Sequence, residues 1–387
     1  MEYVTIGESC SVVSGGTPSR SKGEFWQDGT IPWIKIGNIK TKYVNEYDEL
    51  ITEEGLNNSS AKLLKKGTIL YTIFATLGEV GILDIDACTN QAIAGIAIND
   101  PRITPDFLYY YLKSKKEYVN SIGRGVAQNN INLTTLRKFE IPLIDRDKQS
   151  IIVKTLEKVE KIIDSQKKEL DRYDELVKAR FIEIFGDPEN NNKAWKVKFL
   201  DNLCTVGSSK RIYQSEQSSE GIPFWRISDL VSKIDTGTVD SELFISKTKY
   251  AELEQAGLVP VTGDILLTSR GTLGKCYIIK DEDRFYFQDG MISWLGNYSE
   301  EITPIYLQYL FSMSGFRKQI NRLQAGSTVA YLSIAMLKKL QVMVPDKTLQ
   351  EQFAGFVAQI DKSKSAIQAA LDKTQLLFDS LMQEYFG

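Results

Sequence analysis

The chain of 387 residues contains two stretches that share their ends and differ at their centres. The first is GTILYTIFATLGE, beginning at Gly67, and the second is GDILLTSRGTLGK, beginning at Gly263. Within this shared frame an aromatic ring, Phe74, is replaced by a guanidinium, Arg270, which donates hydrogen bonds in a fixed planar geometry. Histidine is absent from the chain, so the commonest general base and the commonest metal ligand are missing. The pattern therefore favours recognition over acid–base catalysis.

The composition is that of a globular protein with room for two or three domains, because 42% of the residues are hydrophobic and 25% are charged. No apolar run reaches the length of a membrane span, and the first residues do not resemble a secretion signal. The four cysteines form no C-x-x-C pair, which favours reduced thiols and a cytoplasmic protein. A net charge of −3 gives no overall basic field, so any contact with an acidic ligand requires local basic clusters or a partner.

The shared frame is one part of a repeat that runs through the whole chain. The aligned pairs are Cys10 with Cys204, residues 30–39 with 221–230, Thr104-Pro105 with Thr303-Pro304, and Phe185-Gly186 with Phe386-Gly387. The spacing between aligned residues varies in the front part of each copy and is constant from Gly125 and Gly326 onward. Constant spacing indicates an element that tolerates no insertion. A long helix has this property, because one added residue rotates its apolar stripe by about 100°.

Each copy ends in a heptad-like apolar stripe. The first stripe is Ile152, Leu156, Val159, Ile163, Leu170, Tyr173 and Val177, and the second is Phe353, Val357, Ile360, Ile367, Leu371 and Phe378. These stripes predict two helices of roughly 36–38 residues, about 55 Å long, that pair with each other. The pattern permits either direction of pairing, and antiparallel pairing would give a pseudo-twofold axis. The polar residues Gln166 and Lys364 interrupt the stripes, and they either set the register or are simply exposed.

The front part of each copy has mixed α/β character. Three short strands are predicted in the first copy, at 69–73, 82–85 and 93–98, and three in the second, at 265–268, 276–279 and 291–295. A helix that begins with proline at its first position is predicted in each copy, at 105–121 and 304–323.

This ordered set of motifs resembles the specificity subunit of type I restriction-modification systems. The motifs include the SGGTPS turn from Ser14, Ile-Pro-Trp-Ile from Ile31, Ile-Pro-Phe-Trp from Ile222 and the stretch from Gly263 to Gly274. A glutamine opens each long helix, Gln149 and Gln350, although the usual Pro-Leu-x-Glu-Gln sequence before the helix is degraded in both copies. The resemblance covers essentially the whole chain.

The resemblance implies an α+β protein with two similar mixed α/β target-recognition domains, joined by two long helices that pair as an antiparallel coiled coil. The predicted domains are 1–145 (first recognition domain), 146–186 (first helix), 187–346 (linker and second recognition domain) and 347–387 (second helix). Each recognition domain would read one half of a bipartite, asymmetric site on double-stranded DNA. The helices would set the spacer and dock two modification (methyltransferase) subunits.

The resemblance also implies that this chain is not an enzyme and holds no cofactor or metal. S-adenosylmethionine would be used by the modification subunits, and ATP and Mg by separate restriction and translocase subunits.

Within the repeat, shared residues should build the scaffold, and residues that differ at equivalent positions should read bases. The first candidates lie in the two quoted stretches: Thr72, Phe74 and Thr76, and Thr268, Ser269, Arg270 and Thr272. Arg270 suits the O6 and N7 atoms of guanine, and Phe74 suits a thymine methyl or a base step. The alternative is that Phe74 lies in the core and that Arg270 forms a surface ion pair.

Three further loops supply candidates. After the Ile-Pro strands come Lys35 and Asn38, and Arg226, Ser228 and Asp229, where the alternative is a turn held by the Asn or Asp side chain. The glycine loops supply Arg124, Gln128, Asn129 and Asn130, and Ser327, Thr328 and Tyr331. The opening turns supply Thr17, and Lys210 with Arg211.

Basic residues at the ends of the proline-led helices would either grip phosphate or form a solvated face: Lys113, Lys115, Lys116, Arg317, Lys318 and Arg322. Trp33 and Trp225 are predicted to be core residues.

Two rival functions remain open. A DNA methyltransferase fused to its own reader would be an enzyme, but the chain has no Asn-Pro-Pro-aromatic motif, no glycine-rich cofactor loop and no phosphate-cradling loop. A coiled-coil adaptor with protein-binding domains would show no salt-dependent, sequence-selective binding of DNA.

Overall fold

The computed structural model describes residues 2–123, 130–324 and 330–387. The chain forms two compact units, of which unit 1 comprises Met1–Lys167 with Ala369–Gly387 and unit 2 comprises Lys168–Gln368. Each of the two long helices crosses a unit boundary and therefore contributes one half to each unit. The predicted domain limits, which treat each long helix as a separate segment, stay predictions.

The first copy of the repeat runs from the N-terminus to the end of the first long helix. Its elements are β1 (Glu2–Thr5), α1 (Ile6–Ser9), β2 (Cys10–Ser14), β3 (Ile31–Ile34), β4 (Tyr43–Val44), β5 (Glu49–Ile51), α2 (Glu53–Asn57), β6 (Ile69–Thr72), β7 (Val80–Leu83), β8 (Cys88–Thr89), β9 (Ile93–Ile98), α3 (Pro105–Ser114), α4 (Lys116–Gly123), α5 (Leu133–Arg137), β10 (Glu140–Leu143) and α6 (Arg146–Phe185).

The second copy follows a similar order, but it adds the strand β13 and the helix α7 and has no α-helix matching α1 and no strand matching β4. Its elements are β11 (Lys196–Phe199), β12 (Thr205–Gly207), β13 (Gln217–Ser218), β14 (Ile222–Trp225), α7 (Ile227–Thr236), β15 (Phe244–Ile245), α8 (Lys247–Gln255), β16 (Ile265–Thr268), β17 (Cys276–Ile278), β18 (Tyr286–Phe287), β19 (Ile292–Gly296), α9 (Pro304–Ser312), α10 (Ser314–Leu323), α11 (Ile334–Lys338), β20 (Gln341–Val344) and α12 (Lys347–Phe386).

The sheets have equivalent topology in the two copies. The order β2-β9-β6-β7-β4 in unit 1 corresponds to β12-β19-β16-β17 in unit 2, which has no strand at the position of β4. The order β5-β3-β8 in unit 1 corresponds to β13-β15-β14-β18 in unit 2, which has the additional edge strand β13. Register is also kept, since Ile69 faces Ile82 across β6 and β7 and Ile265 faces Ile278 across β16 and β17. The mixed α/β repeat predicted from the sequence is confirmed.

The single helix predicted after each proline is two helices in the structure. Ser114 Oγ donates to the carbonyl of Tyr111 at 2.7 Å, and Ser312 Oγ donates to the carbonyl of Tyr309 at 2.6 Å. A serine hydroxyl that bonds a nearby backbone carbonyl offers the chain an alternative to continued helix. The prediction of one continuous helix in each copy was wrong, because a turn at Lys115 separates α3 from α4 and Met313 adopts extended backbone, with φ of −70° and ψ of 135°, between α9 and α10.

The long helices α6 and α12 each have 40 residues, slightly more than predicted. In unit 2 the Phe181 ring lies 5.5 Å from Phe353, and Lys364 Nζ lies 2.6 Å from Asp174 Oδ1. As α6 advances from 174 to 181, its contacts on α12 retreat from 364 to 353, so the helices are antiparallel there.

The helices α6 and α12 are also antiparallel in unit 1, where both pack against α3. Contacts of α3 with α6 advance together, from Thr104 with Gln149 to Lys113 with Glu160. Contacts of α3 with α12 run the other way, because Phe107 meets Phe386 while Lys113 lies over Phe378.

The apolar stripes fill the base of each unit. In unit 1 the core includes the following residues of the two helices: Val153, Leu156, Val159 and Ile163 of α6, and Phe378, Met382 and Phe386 of α12. In unit 2 the aligned positions exchange helices, with Phe353, Val357 and Ile360 from α12 and Val177, Phe181 and Phe185 from α6. The core of each unit is thus completed by the N-terminal half of one long helix and the C-terminal half of the other.

A buried glutamine fixes the start of each long helix. Gln149 Oε1 accepts from the backbone N–H and the hydroxyl of Thr104 at 3.0 and 2.9 Å, and its Nε2 donates to the carbonyls of Arg102 and Ile144. Gln350 repeats this arrangement with Thr303 and with the carbonyls of Glu301 and Pro345. Every side-chain hydrogen-bonding group of these two buried glutamines is therefore engaged.

Among the described residues, the helices are too short or too polar to cross a lipid bilayer. The cysteines Cys10, Cys88, Cys204 and Cys276 are free and buried. Burial raises the pKa of Cys88 to about 11 and that of Cys204 to about 12, which suppresses the reactive thiolate.

Candidate nucleic-acid interface

Each copy of the repeat presents a β-hairpin whose end we call a tip: residues 73–76 form the first tip, after β6, and residues 269–272 form the second tip, after β16. The two tips close in the same way. The hydroxyl of Thr72 donates to the carbonyl of Thr76 and accepts from the N–H of Glu79 at 2.8 Å. Thr268 makes the equivalent bonds, to the carbonyl of Thr272 and from the N–H of Lys275 at 3.0 Å. A threonine hydroxyl that both donates and accepts thus holds each tip shut.

The backbone conformation of the tips also agrees. Ala75 has φ of 61° and Gly271, at the same position of the repeat, has φ of 66°. The left-handed region suits glycine and costs other residues energy, so Ala75 adopts a strained conformation that its hairpin imposes. The two tips are therefore one scaffold with different side chains.

The structure joins each tip to the segment that follows the glycine loop. A β-bridge pairs Phe74 with Asn130, and another pairs Arg270 with Tyr331. Beside these bridges, the N–H of Ile131 donates to the carbonyl of Ile73 at 3.1 Å, and the N–H of Leu332 donates to that of Ser269 at 2.9 Å. Two sets of candidates that lie far apart in the sequence therefore form one surface in each unit.

The two surfaces differ in chemistry. Phe74 is 40% exposed and Thr76 beside it is exposed, so the first surface is apolar with a hydroxyl. In the second, the exposed Arg270 places its guanidinium carbon 5.1 Å from the centre of the Tyr331 ring. Among the described residues, no carboxylate lies within ion-pair distance of Arg270. The alternatives of a core Phe74 and an ion-paired Arg270 do not match this arrangement.

Three predicted contact residues in the tips are buried. Thr72 and Thr268 are fully buried, and Ser269 is 2% exposed with its hydroxyl 2.7 Å from that of Ser293. Direct contact of these side chains with DNA conflicts with their burial, because the hydroxyls of Thr72 and Thr268 bond within their hairpins and that of Ser269 bonds to Ser293 on β19. They shape the tip, while Phe74, Thr76, Arg270 and Thr272 face outward.

The residues after the Ile-Pro strands hold their own backbone. Asn38 is buried, accepts from the N–H of Lys35 at 2.9 Å and donates to Asp48 at 3.1 Å. Asp229 is also buried and accepts from the N–H of Arg226 at 2.7 Å. The turn alternative describes both residues, and the predicted contact with bases conflicts with their burial.

This segment also differs between copies in a way that the sequence alignment did not indicate. In the second copy it begins the ten-residue helix α7, whereas in the first copy it forms only the short 3-10 helix Ile36–Asn38. Asp229 bonds back to Arg226 at the start of α7. Ser228 is exposed there, and Arg226 is half-buried with its guanidinium 3.0 Å from Glu242.

Lys35 belongs to an ion-pair network in unit 1. Its ammonium lies 3.0 Å from Glu49 and 3.4 Å from Asp48, and Arg20 also pairs with Glu49. The Arg20 hydrogen bond, followed by that of Lys35, lowers the pKa of Glu49 to about 2 against the opposing effect of partial burial. The guanidinium of Arg20 stacks on Trp26 at 3.6 Å. Sequence analysis missed Arg20 and Glu49, because neither lies in the motifs that the two copies share.

The opening turns also differ. Thr17 is half-buried and its hydroxyl donates to Gln91 Oε1. A Cβ at Gly15 would lie 2.2 Å from the carbonyl oxygen of Asn90, so only glycine fits this turn of the first copy. In the second copy Lys210 is exposed and Arg211 pairs with Asp289 at 3.1 Å.

Five of the predicted contact residues, Arg124, Gln128, Asn129, Ser327 and Thr328, lie outside the described residues. The predictions for the two tryptophans are confirmed, because Trp33 and Trp225 are buried.

Most basic residues at the helix ends have partners inside the protein. Lys113 pairs with Glu160, Lys116 with Glu79 and Lys318 with Glu189. Lys115 donates to the carbonyl of Phe386 and Arg317 to that of Leu273, while Arg322 is largely exposed. Phosphate contact by the partnered residues would require these bonds to break.

Comparisons with known proteins agree with this picture. The family model described as type I restriction modification DNA specificity domain matches residues 1–172 and 192–374. The type I restriction enzyme MjaIX specificity subunit of Methanocaldococcus jannaschii is 26% identical over 377 residues, covering 91% of this chain and 84% of the relative.

Two solved structures are similar in fold. The S subunit of a type I restriction-modification system from M. genitalium has a TM-score of 0.54 at 18% identity, covering 100% of this chain and 96% of that one. A chain from a structure that addresses complex assembly and conformational transition of the type I system has a TM-score of 0.60 at 16% identity, covering 100% and 97%.

Proposed function

This chain belongs to the family of the type I restriction modification DNA specificity domain, and we propose that its two tips read the two unlike halves of a bipartite DNA site. Specificity subunits are the DNA-recognition components of type I restriction-modification complexes and are not themselves catalytic. The assignment of reading to the tips, and of one half-site to each unit, is our proposal for this chain.

One observation supports the proposal most directly: the two tips share a backbone conformation and a threonine closure but expose different side chains. The closure by Thr72 and Thr268 is the same, whereas Phe74 and Arg270 differ. A fixed scaffold with exchangeable outer residues is what two readers of different sequences require, because specificity depends on base-edge contacts and not on the scaffold. A structural role alone would not require the outer residues to differ or to be exposed.

The electrostatics indicate that the described part of this chain does not bind DNA by a large basic field. The net charge is −3, and Lys35, Arg211 and Arg226 are ion-paired. Phosphate neutralisation supplies most non-specific affinity for DNA. We therefore propose that partner subunits supply part of the affinity, while this chain supplies the sequence preference.

In the assembled complex, the paired long helices would serve as the spacer and would dock two modification subunits that use S-adenosylmethionine. ATP and Mg would be used by a separate restriction subunit, and the complex would be cytoplasmic. No metal-binding cluster of histidine, cysteine or acidic residues is found among the described residues.

The proposal is tested by mapping modified bases across the host genome with the gene intact and with the gene deleted. We expect one bipartite, asymmetric motif to be modified in the intact strain and to be unmodified in the deletion strain. The rival methyltransferase would be favoured if the purified chain alone transferred a labelled methyl group to DNA. A genome whose modification pattern is unchanged by the deletion would contradict the proposal.

A further inference from the structure

The second tip exposes an arginine, Arg270, that lies against the Tyr331 ring and has no acidic partner within the described part of the chain. We propose that Arg270 reads a guanine in the half-site bound by unit 2 and that Tyr331 is the residue that positions it. This inference rests on the proposed function and adds the identity of one base and the residue that selects it.

Tyr331 is well placed to orient the guanidinium. The β-bridge to Arg270 and the hydrogen bond from the N–H of Leu332 to Ser269, at 2.9 Å, fix the backbone on both sides of the contact. Tyr331 is 36% exposed and Arg270 is exposed, so the pair lies at the surface and not in the core. The guanidinium carbon lies 5.1 Å from the ring centre, within the range of a cation–π interaction.

The contact with the Tyr331 ring uses no hydrogen-bond acceptor of the protein. A guanidinium carries five N–H donors in a fixed plane, so its in-plane donors can still bond a ligand. Among the described residues, Arg270 has no acidic partner that a ligand would have to displace. Restriction of its rotamers by the ring also reduces the entropy lost when it binds.

Guanine is the base that this geometry suits. Its O6 and N7 atoms are two adjacent acceptors at the edge of the major groove, which a guanidinium engages with two parallel hydrogen bonds. Adenine, cytosine and thymine present no such pair of acceptors there.

The first tip cannot make this contact. Phe74 occupies the aligned position and has no donor, and Asn130 stands in place of Tyr331. The guanine preference from this position is therefore expected in the half-site of unit 2 alone, which makes the complete site asymmetric.

The test introduces Arg270→Gln and Arg270→Lys separately into the host gene and measures the fraction modified at every variant of the motif. We expect Arg270→Gln to relax one guanine position in one half-site, with discrimination against other bases falling roughly 5- to 150-fold, while all other positions are kept. Arg270→Lys keeps a cation that can donate to guanine and should retain part of this preference. Arg284→Gln is the matched control, since Arg284 is also exposed and lies 5.4 Å over the ring of Tyr250 in the same unit. The DNA motif modified in the strain that carries Arg284→Gln should be the same as in the wild type.

Tyr331 is tested by two further changes. Tyr331→Phe keeps the ring and should keep the guanine preference, whereas Tyr331→Ala should relax it at the same position as Arg270→Gln. Each variant chain is also purified, and its thermal unfolding is compared with that of the wild type to confirm that it folds.

The outcomes separate this inference from the proposed function. If the wild type directs a bipartite motif but the Arg270 variants leave every base preference intact, the inference is wrong and the proposed function stands. If modification by a folded Arg270 variant falls equally at all sequences, Arg270 grips phosphate and does not read a base. If the wild type directs no motif, the proposed function fails as well.

Discussion

The side-chain carbonyl of Gln149 accepts hydrogen bonds from both the backbone N–H and the hydroxyl of Thr104, and the aligned Gln350 does the same with Thr303. Each glutamine lies in the first turn of a long helix, and each threonine precedes a proline-led helix of the recognition fold. The pair therefore joins the helix that closes a unit to the globular part of the same unit. Its repetition indicates that the orientation of the helix start matters in both copies.

Replacement of Gln350 by leucine should destabilise unit 2 by about 2–3 kcal/mol, because it leaves buried backbone groups without partners. Gln352→Leu is the matched control, since Gln352 is two residues further along the same helix and exposed, and it should change stability by less than about 0.5 kcal/mol. Urea denaturation followed by circular dichroism measures both. Equal midpoints for the two variants would show that the buried glutamine is not a stabilising element.

Exchanging glycine and alanine at the left-handed position of each tip should change the free energy of unfolding differently in the two copies. Gly271→Ala should cost about 1 kcal/mol, because alanine is disfavoured at a φ of 66° even though no atom lies within 4 Å of the added Cβ. Ala75→Gly should change stability by less than about 0.5 kcal/mol, since relief of the same strain is offset by the entropy of glycine. Thermal and urea unfolding of the two variants provide the measurement. A larger loss for Ala75→Gly than for Gly271→Ala would contradict the shared tip conformation.

Because Glu49 is ion-paired in the folded state, we expect the free energy of unfolding to depend on pH in the acid range. The pKa of Glu49 is lowered from 4.5 to about 2, chiefly by the hydrogen bond from Arg20, so its charged form is favoured in the folded state. Its stabilisation is therefore present in full above pH 4.5 and decreases as the pH falls towards 2. Because the Arg20 side chain is 52% exposed, solvent screens the pair and we expect less than about 1 kcal/mol.

The measurement is the free energy of unfolding of the wild type and of Glu49→Gln between pH 2 and pH 7, the range that spans the pKa change of this group. The difference between the two proteins should shrink below pH 4.5. A difference that stays constant across this range would show that the charged form of Glu49 does not stabilise the folded state.

The long helices could be predicted from the sequence because their signal is local and periodic. An apolar stripe such as Leu156, Val159 and Ile163 fixes both the helix and the face that it buries. Alignment of the two copies also predicted the second long helix and the order of the strands. The exchange of helix ends between units, with Phe378 in unit 1 and Val177 in unit 2, was not predicted, because a stripe does not specify which globular part it covers.

The candidate site was predictable only in outline. Self-comparison located the tips, but it gave no indication that the Thr72 side chain points into the hairpin, since that depends on the closing bonds to Thr76 and Glu79. Nor did it place Arg270 beside Tyr331, because the strands β17 to β19 and the helices α9 and α10 lie between them in the sequence and only the fold brings them together. Polar residue type alone did not distinguish a turn holder such as Asn38 from an exposed reader.

The central claim is that the two tips act on different halves of one DNA site. It is tested most directly by mapping modified bases in hosts that carry Phe74→Arg or Arg270→Phe. We expect Phe74→Arg to change base preference in one half of the motif only, and Arg270→Phe to change it in the other half only. The claim would be contradicted if both substitutions altered the same half, or if the motif stayed the same with either of them.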